Sequence, residues 1–148
     1  SSAGMVYKMK VYRLPVGTPQ ARGKAFINLL PLKEGETIST VMPLPEDEST
    51  WSELFVMFAT ASGYVRRNAL SDFTDVRANG KIAMKFEGDY ADDKLVRVRV
   101  CTEDDDILLS AAGGKCIRFP VPAARGQGPR RGTGGPTGRA QIPGNAGK

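Results

Sequence analysis

Residues 59–73 read ATASGYVRRNALSDF and follow the apolar run LFVMF at residues 54–58. A short polar segment ending in Gly63, set between an apolar run and a second run containing Val65, is the signature of a β-hairpin whose glycine supplies the left-handed backbone angle. Side chains alternate along a strand, so the adjacent cations Arg66 and Arg67 must face opposite sides of the sheet. One of them can pair with a neighbouring acid, Asp72 or Asp75, while the other stays available.

The same plan occurs three times, as SSAGMVYKM, TASGYVRRN and SAAGGKCIRF, with Gly4, Gly63 and Gly114 aligned. Val6, Val65 or Cys116 stands two residues after each glycine, and Lys8, Arg67 or Arg118 stands four after it. The repeat of about 50 to 60 residues is near that of a propeller blade. A second feature lies between the turns. The stretches QARGKAFINLLPLKEGETISTVMPL and VRANGKIAMKFEGDYADDKLVRVRV each hold Gly-Lys, an apolar strand, an acidic glycine-bearing turn and an alternating strand.

The alternation is clearest in LVRVRVC at residues 95–101, which predicts Val96, Val98 and Val100 on a buried face and Arg97 and Arg99 on a wet one. Outward arginines of this kind ordinarily pair across strands or guard an edge, and EGDYADD nearby offers acids. PEDESTWSELFV reads as a loop between repeats, with at most one helical turn capped by Ser49 or Thr50, and Trp51 as a packing anchor. The body is therefore all-β.

Composition narrows the chemistry. The 148 residues include no histidine, which removes the commonest general base and the commonest zinc ligand. No apolar run approaches the roughly 18 residues of a membrane span, and the chain reads as soluble and intracellular. Cys101 and Cys116 read as two buried reduced thiols. Glu103-Asp104-Asp105-Asp106 lacks the glycine and downstream glutamate of a calcium loop and reads as a solvated turn, with no metal site. From Pro122 onward Arg125, Arg130, Arg131, Arg139 and Lys148 face no acid, so this segment carries the whole net charge of +5 and residues 1–121 balance. Its Gly, Pro and Arg content cannot bury enough apolar surface to order it, which predicts a disordered basic tail over residues 122–148. The opening SSAGMVYKM reads as the second half of a hairpin, and the chain as a piece of a larger one.

FATASGYVRRNALSDFTDVRANGKIAMKF, EDDDILLSAAGGKCIRFPV and GMVYKMKVYRLPVGTPQARGKAFINLLPL, taken in this order of motifs, resemble the C-terminal DNA-wrapping domain of the A subunit of DNA gyrase, a bacterial type II topoisomerase. The resemblance implies a β-pinwheel, a propeller-like array whose neighbouring blades exchange strands; residues 1–121 would hold about two of its six blades. The Gln-Arg-Arg-Gly-Gly-Lys-Gly type box of the family's first blade is not in this sequence, and the tail does not continue the family's next blade. The implied function is duplex DNA binding and wrapping without sequence specificity. The implied partners are the rest of the gyrase A subunit, with the gyrase B subunit, in an A2B2 enzyme that supercoils DNA negatively with ATP in the bacterial cytoplasm, at the nucleoid. ATP and Mg2+ would act elsewhere in that enzyme, leaving this part without a cofactor. Tyr7, Tyr12, Tyr64 and Tyr90 have no context matching the family's catalytic tyrosine, so no catalysis is expected here. The alternatives are a propeller-type protein-interaction scaffold and the corresponding domain of the topoisomerase IV A subunit.

A protein that bends DNA without reading it needs cations spread over a rigid curved surface. The resemblance puts Lys8, Arg67 and Arg118 on such a rim, with Arg66 beside them. Arg22-Gly23-Lys24 and Asn79-Gly80-Lys81 occupy the turns that correspond to the box, where backbone amides and the cations Arg22, Lys24 and Lys81 suit phosphate. Solvated strand residues and ordinary hairpin tips remain open readings of the same positions.

Overall fold

A computed structural model describes residues 1–124. Its strands are β1 (Met5–Val6), β2 (Phe55–Thr60), β3 (Val65–Ala69), β4 (Lys81–Ile82), β5 (Leu95–Cys101), β6 (Asp106–Ser110) and β7 (Cys116–Pro120). The three aligned glycines share one backbone conformation, with φ of +75° at Gly4, +84° at Gly63 and +79° at Gly114. Gly63 turns β2 into β3, with Ala59 opposite Val65, and Gly114 lies in the turn from β6 to β7.

β2 is the middle of a sheet ordered β3-β2-β5 and is buried on both sides. Its Val56 and Phe58 enter a first core layer with Trp51, Leu70, Phe73, Ala83, Met84, Leu95 and Val98. Its Met57 enters a second layer with Val65, Cys101, Val121 and Ala124, flanked by Phe55, Ile107, Leu109 and Phe119. The β6–β7 hairpin thus packs on one face of the sheet, and the first repeat on the other.

The repeats are laced together. β1, from the first repeat, pairs antiparallel with β4, from the second, through Met5↔Ile82 and Val6↔Lys81. The Gly4 carbonyl accepts from the amides of Ala83 (2.9 Å) and Met84 (3.1 Å). Residues 37–44 run beside β5: the Ser39 hydroxyl donates to the Leu95 carbonyl (2.7 Å), and Thr40 Oγ1 accepts from the Val98 amide (3.2 Å). This exchange of strands between neighbouring units is the pinwheel arrangement.

Several expectations need correcting. Val96 is 47% exposed and Leu95 is buried, because a bulge lets Ala59 pair with Arg97 and Thr60 with Leu95, extruding Val96 and turning Leu95 into the first layer. Cys116 is exposed, since nothing among the described residues covers its face of β7 as Val121 and Ala124 cover Val65. The connector forms a 3-10 helix over Glu48–Glu53, and its cap is Asp47, whose carboxylate accepts from the Ser49 amide, instead of Ser49 or Thr50. Trp51 does anchor it, 2% exposed, with Nε1 donating to the Pro45 carbonyl.

The apolar strand expected after Arg22-Gly23-Lys24 is a short 3-10 turn, Phe26–Asn28, because no described segment is placed to pair with it as β1 pairs with β4. Residues 37–44 keep the expected alternation in burial without a backbone ladder. An apolar cleft of about 390 Å³ remains between the first repeat and the first layer. Order continues past the expected boundary: Val121–Ala123 is a 3-10 helix, and Val121 and Ala124 plug the second layer. The rest of the expected tail lies outside the described residues.

The Asp93 carboxylate links two turns by accepting from the Ser62 amide (3.1 Å) and the Lys94 amide (2.8 Å). Burial pushes its pKa up, but hydrogen bonds from Thr60, Lys94 and Ser62 outweigh this and hold it below the ordinary value. A depressed carboxylate stabilises the fold above its unfolded pKa, and the contribution is lost as pH falls through the folded value. Urea unfolding of the chain and of Asp93→Asn should therefore differ at neutral pH and converge below about pH 4; a pH-independent difference would assign the loss to something other than the charge.

A Cβ at Gly63 meets nothing within 4 Å, whereas one at Gly4 would overlap the Met84 carbonyl. Gly63→Ala should cost only the left-handed strain, about 1–2 kcal/mol, and Gly4→Ala about 3 kcal/mol or more. Equal losses in chemical denaturation would contradict the close packing of the first repeat on the second.

Candidate nucleic-acid interface

The register of β2 against β3 places Arg66 opposite Phe58, on the first-layer side, and Arg67 opposite Met57, on the second. The two arginines diverge as a regular strand requires. Arg66 Nε donates to Asn68 Oδ1 (3.1 Å), and Asn68 Nδ2 donates to Asp72 Oδ2 (3.3 Å). The acid therefore holds Arg66 through a buried amide, and Asn68 is the residue that sequence reasoning missed. Its position two residues after Arg66 and four before Asp72 was the available signal.

Lys81 and Lys8 reach the same place. Lys81 Nζ donates to the Asp72 carbonyl and lies 5.9 Å from the Phe73 ring centroid. Lys8 Nζ donates to the Thr74 carbonyl (2.8 Å), pairs with Glu48 and sits 5.0 Å from the Trp51 ring centroid. Three expected cations from separate elements thus converge on the 3-10 turn Leu70–Phe73 and the residue after it. The turn is rigid because Leu70 and Phe73 are core residues and the Leu70 amide bonds the Leu54 carbonyl (2.8 Å).

The other expected cations lie elsewhere. Arg67 stacks over Phe55, with Cζ 4.7 Å from the ring centroid, and its Nη1 is buried with no hydrogen-bond partner among the described residues. Arg118 is a largely exposed side chain that pairs with Asp106 across the β6–β7 hairpin. Arg22 and Lys24 are exposed on the long connection of the first repeat. Lys8, Arg67 and Arg118 hold equivalent positions after equivalent glycines, yet Lys8 gathers with Arg66 and Lys81, on the side of the sheet opposite Arg67.

Arg97 and Arg99 correct the expectation of cross-strand pairing. Both are exposed, and their partners on β2 are Ala59 and Met57. Of the acids nearby in sequence, Glu87 pairs with Lys85, Asp93 accepts from the Ser62 and Lys94 amides, Asp105 accepts from the Thr102 amide and Asp106 holds Arg118. Below this face, burial raises the Cys101 thiol pKa; Asp105 adds to the rise and Arg67 opposes it.

Chemically, the surface offers guanidinium and ammonium donors on a rigid frame. Exposed ion pairs such as Lys8–Glu48 and Arg118–Asp106 are weak, about 0–1 kcal/mol, so a phosphate can take the place of the carboxylate. Among the described residues no helix is long and apolar enough to cross a membrane.

Residues 1–45 and 55–102 match the family described as DNA gyrase C-terminal domain, beta-propeller. The DNA gyrase A subunit of Granulibacter bethesdensis is 52% identical over 119 residues, covering 80% of this chain and 12% of that protein. Its counterpart in Rickettsia bellii is 47% identical over 125 residues, 84% of this chain and 14% of its own length. That of Escherichia coli is 39% identical over 128 residues, 86% of this chain and again 14% of its own length. The chain thus spans about one seventh of the relatives it matches. In three dimensions it is similar to the C-terminal domain of DNA topoisomerase IV, with a TM-score of 0.71, 20% identity and coverage of 86% of this chain and 38% of that one. It is also similar to the DNA gyrase A C-terminal domain, with a TM-score of 0.62, 19% identity and coverage of 85% and 37%. At these identities the structural likeness speaks for the fold alone.

Asn68→Ala should destabilise the chain by about 1–3 kcal/mol, since it leaves Arg66 and Asp72 without the amide that joins them in a buried setting. Glu48→Gln, which breaks only the Lys8 pair, should stay within about 1 kcal/mol. Urea unfolding of both variants checks the order; the reverse ranking would mean that the convergence at Leu70–Phe73 is held by the surface pair.

Proposed function

The chain belongs to the DNA gyrase C-terminal β-propeller family, and on that premise we propose that it binds duplex DNA without sequence specificity and bends it along its surface. In the whole enzyme this wrapping presents a crossing segment for strand passage and supports ATP-dependent negative supercoiling. The rest of the gyrase A subunit, with the gyrase B subunit, completes an A2B2 assembly in the bacterial cytoplasm. This part contributes binding, with no cofactor and no bond-making step of its own. ATP and Mg2+ act in other parts of that assembly.

The convergence of Lys8, Arg66 and Lys81 on one rigid turn is the observation that carries the reading. Backbone carbonyls and a buried amide hold the three side chains in place, so little side-chain freedom remains to be lost when phosphate arrives. Cations of this kind address the DNA backbone and not the base edges, which is what binding without sequence preference requires. The sequence matches to gyrase A subunits favour that enzyme over topoisomerase IV.

Fluorescence anisotropy with labelled duplexes of unrelated sequence tests the proposal. Affinity should be alike for all of them and should fall steeply between about 50 and 200 mM salt. Replacing Arg125, Arg130, Arg131 and Arg139 by Ser should leave substantial binding, whereas adding Lys8→Ala and Lys81→Ala should reduce the salt slope by roughly two. If the Ser-substituted chain binds no duplex at low salt, the folded body is not the DNA-binding surface.

A further inference from the structure

Seven residues after each aligned glycine a 3-10 turn begins, at Val11, Leu70 and Val121, and three residues further on stand Leu14, Phe73 and Ala124. In the first core layer Leu70 and Phe73 pack with Val6 of the first repeat, and in the second layer Val121 and Ala124 pack with Val65 and Met57 of the second repeat. Val6 and Val65 are themselves equivalent, each two residues after its glycine. One interface is thus used twice, with the turn of each unit seated on the face that the preceding unit presents.

The two halves of the same interface lie open at the ends of the stack. Val11 is 77% exposed where Leu70 and Val121 are 1% and 0%, and Leu14 is exposed where Phe73 and Ala124 are buried. At the other end Leu108 holds the position of Met57, six residues before its glycine, and is 68% exposed where Met57 is buried. Cys116 holds the position of Val65 and is exposed as well. Leu108 pairs with Arg118 and Ser110 with Cys116, so alternation puts Leu108 and Cys116 on one face of the β6–β7 hairpin. The ends also differ in charge: residues 10–24, around Val11 and Leu14, hold Lys10, Arg13, Arg22 and Lys24 and no acid, whereas Glu103, Asp104, Asp105 and Asp106 lead into β6.

The surface that fits the face of Leu108 and Cys116 is a turn of the kind that Val11 and Leu14 form, and a second copy of this chain carries one. We propose that the chain self-associates head to tail, with the Val11 and Leu14 turn of one copy seated on the Leu108 and Cys116 face of the next. The contact repeats between chains what is made twice within one. Turn and face are different surfaces, so each pair keeps one of each unfilled and association continues beyond the dimer. Opposite charge at the two ends favours this order over pairing of like ends. The self-association is separate from the binding of DNA, and either can hold without the other.

Sedimentation velocity of the full chain, freed of nucleic acid, tests this from micromolar to millimolar concentration. The unchanged chain should pass from monomer to dimer and larger species, and the exposed Cys116 thiol should react more slowly with a thiol reagent as it does so. Val11→Lys and Leu108→Lys each place a charge at an exposed position of one end, so both should melt like the unchanged chain and self-associate at least about tenfold more weakly. Mixed together, the two variants retain one intact contact between them and should form a one-to-one dimer that grows no further. A chain that stays monomeric throughout, a Cys116 reactivity that ignores concentration, a Val11→Lys variant that associates like the unchanged chain, or a mixture that remains monomeric overturns the proposal.

Discussion

Strand β2 has no solvent face, and the rest of the structure follows from that. Phe55, Met57 and Ala59 face one core layer while Val56 and Phe58 face the other, so the strand is held by what packs on each side. A strand buried on both faces has no place for a charge. The cations of this sheet are consequently displaced to its flanking strands, to Arg66 and Arg67 on β3 and to Arg97 and Arg99 on β5. The apolar centre and the charged margins are two consequences of one packing constraint.

That constraint also explains how weakly bound side chains can form a defined surface. The ion pairs at Lys8 and Arg118 contribute little to stability, yet the positions they occupy are rigid because the backbone beneath them belongs to the core. Leu70 and Phe73 fix the turn that receives Lys8 and Lys81, and Asn68 carries the Arg66 contact to Asp72. Order is supplied by burial, and the charges are left free to exchange partners. The proposed DNA-bending role calls for both, since phosphates must find cations already in place on a frame that does not yield.

The lacing of repeats gives the frame its continuity. The Gly4 carbonyl accepts from two amides of the second repeat, an approach that no side chain at that position would allow. β1 then continues as a partner of β4, and residues 37–44 lie along β5. Successive units therefore share strands as well as packing faces.

The hairpins at Gly63 and Gly114, the extent of β5, the opposed directions of Arg66 and Arg67, and the anchoring role of Trp51 were all legible in the residues, because each depends on local backbone preference or on the period of two along a strand. The family could be read from the order of the motifs for the same reason. What the residues did not reveal depended on partners distant in the chain. The bulge at Val96 arises from pairing with β2, and the exposure of Cys116 from the absence, among the described residues, of a cover like Val121. The short turn at Phe26–Asn28 likewise follows from the want of a described partner strand. That Arg97 and Arg99 stand opposite Ala59 and Met57, with no acid across the strand, was equally invisible, since that register is set by β2. Sequence alone determined which segments turn and which alternate; only the tertiary structure decided which faces are covered and which cations gather at one turn, because burial and charge pairing are set by neighbours that local preference does not specify.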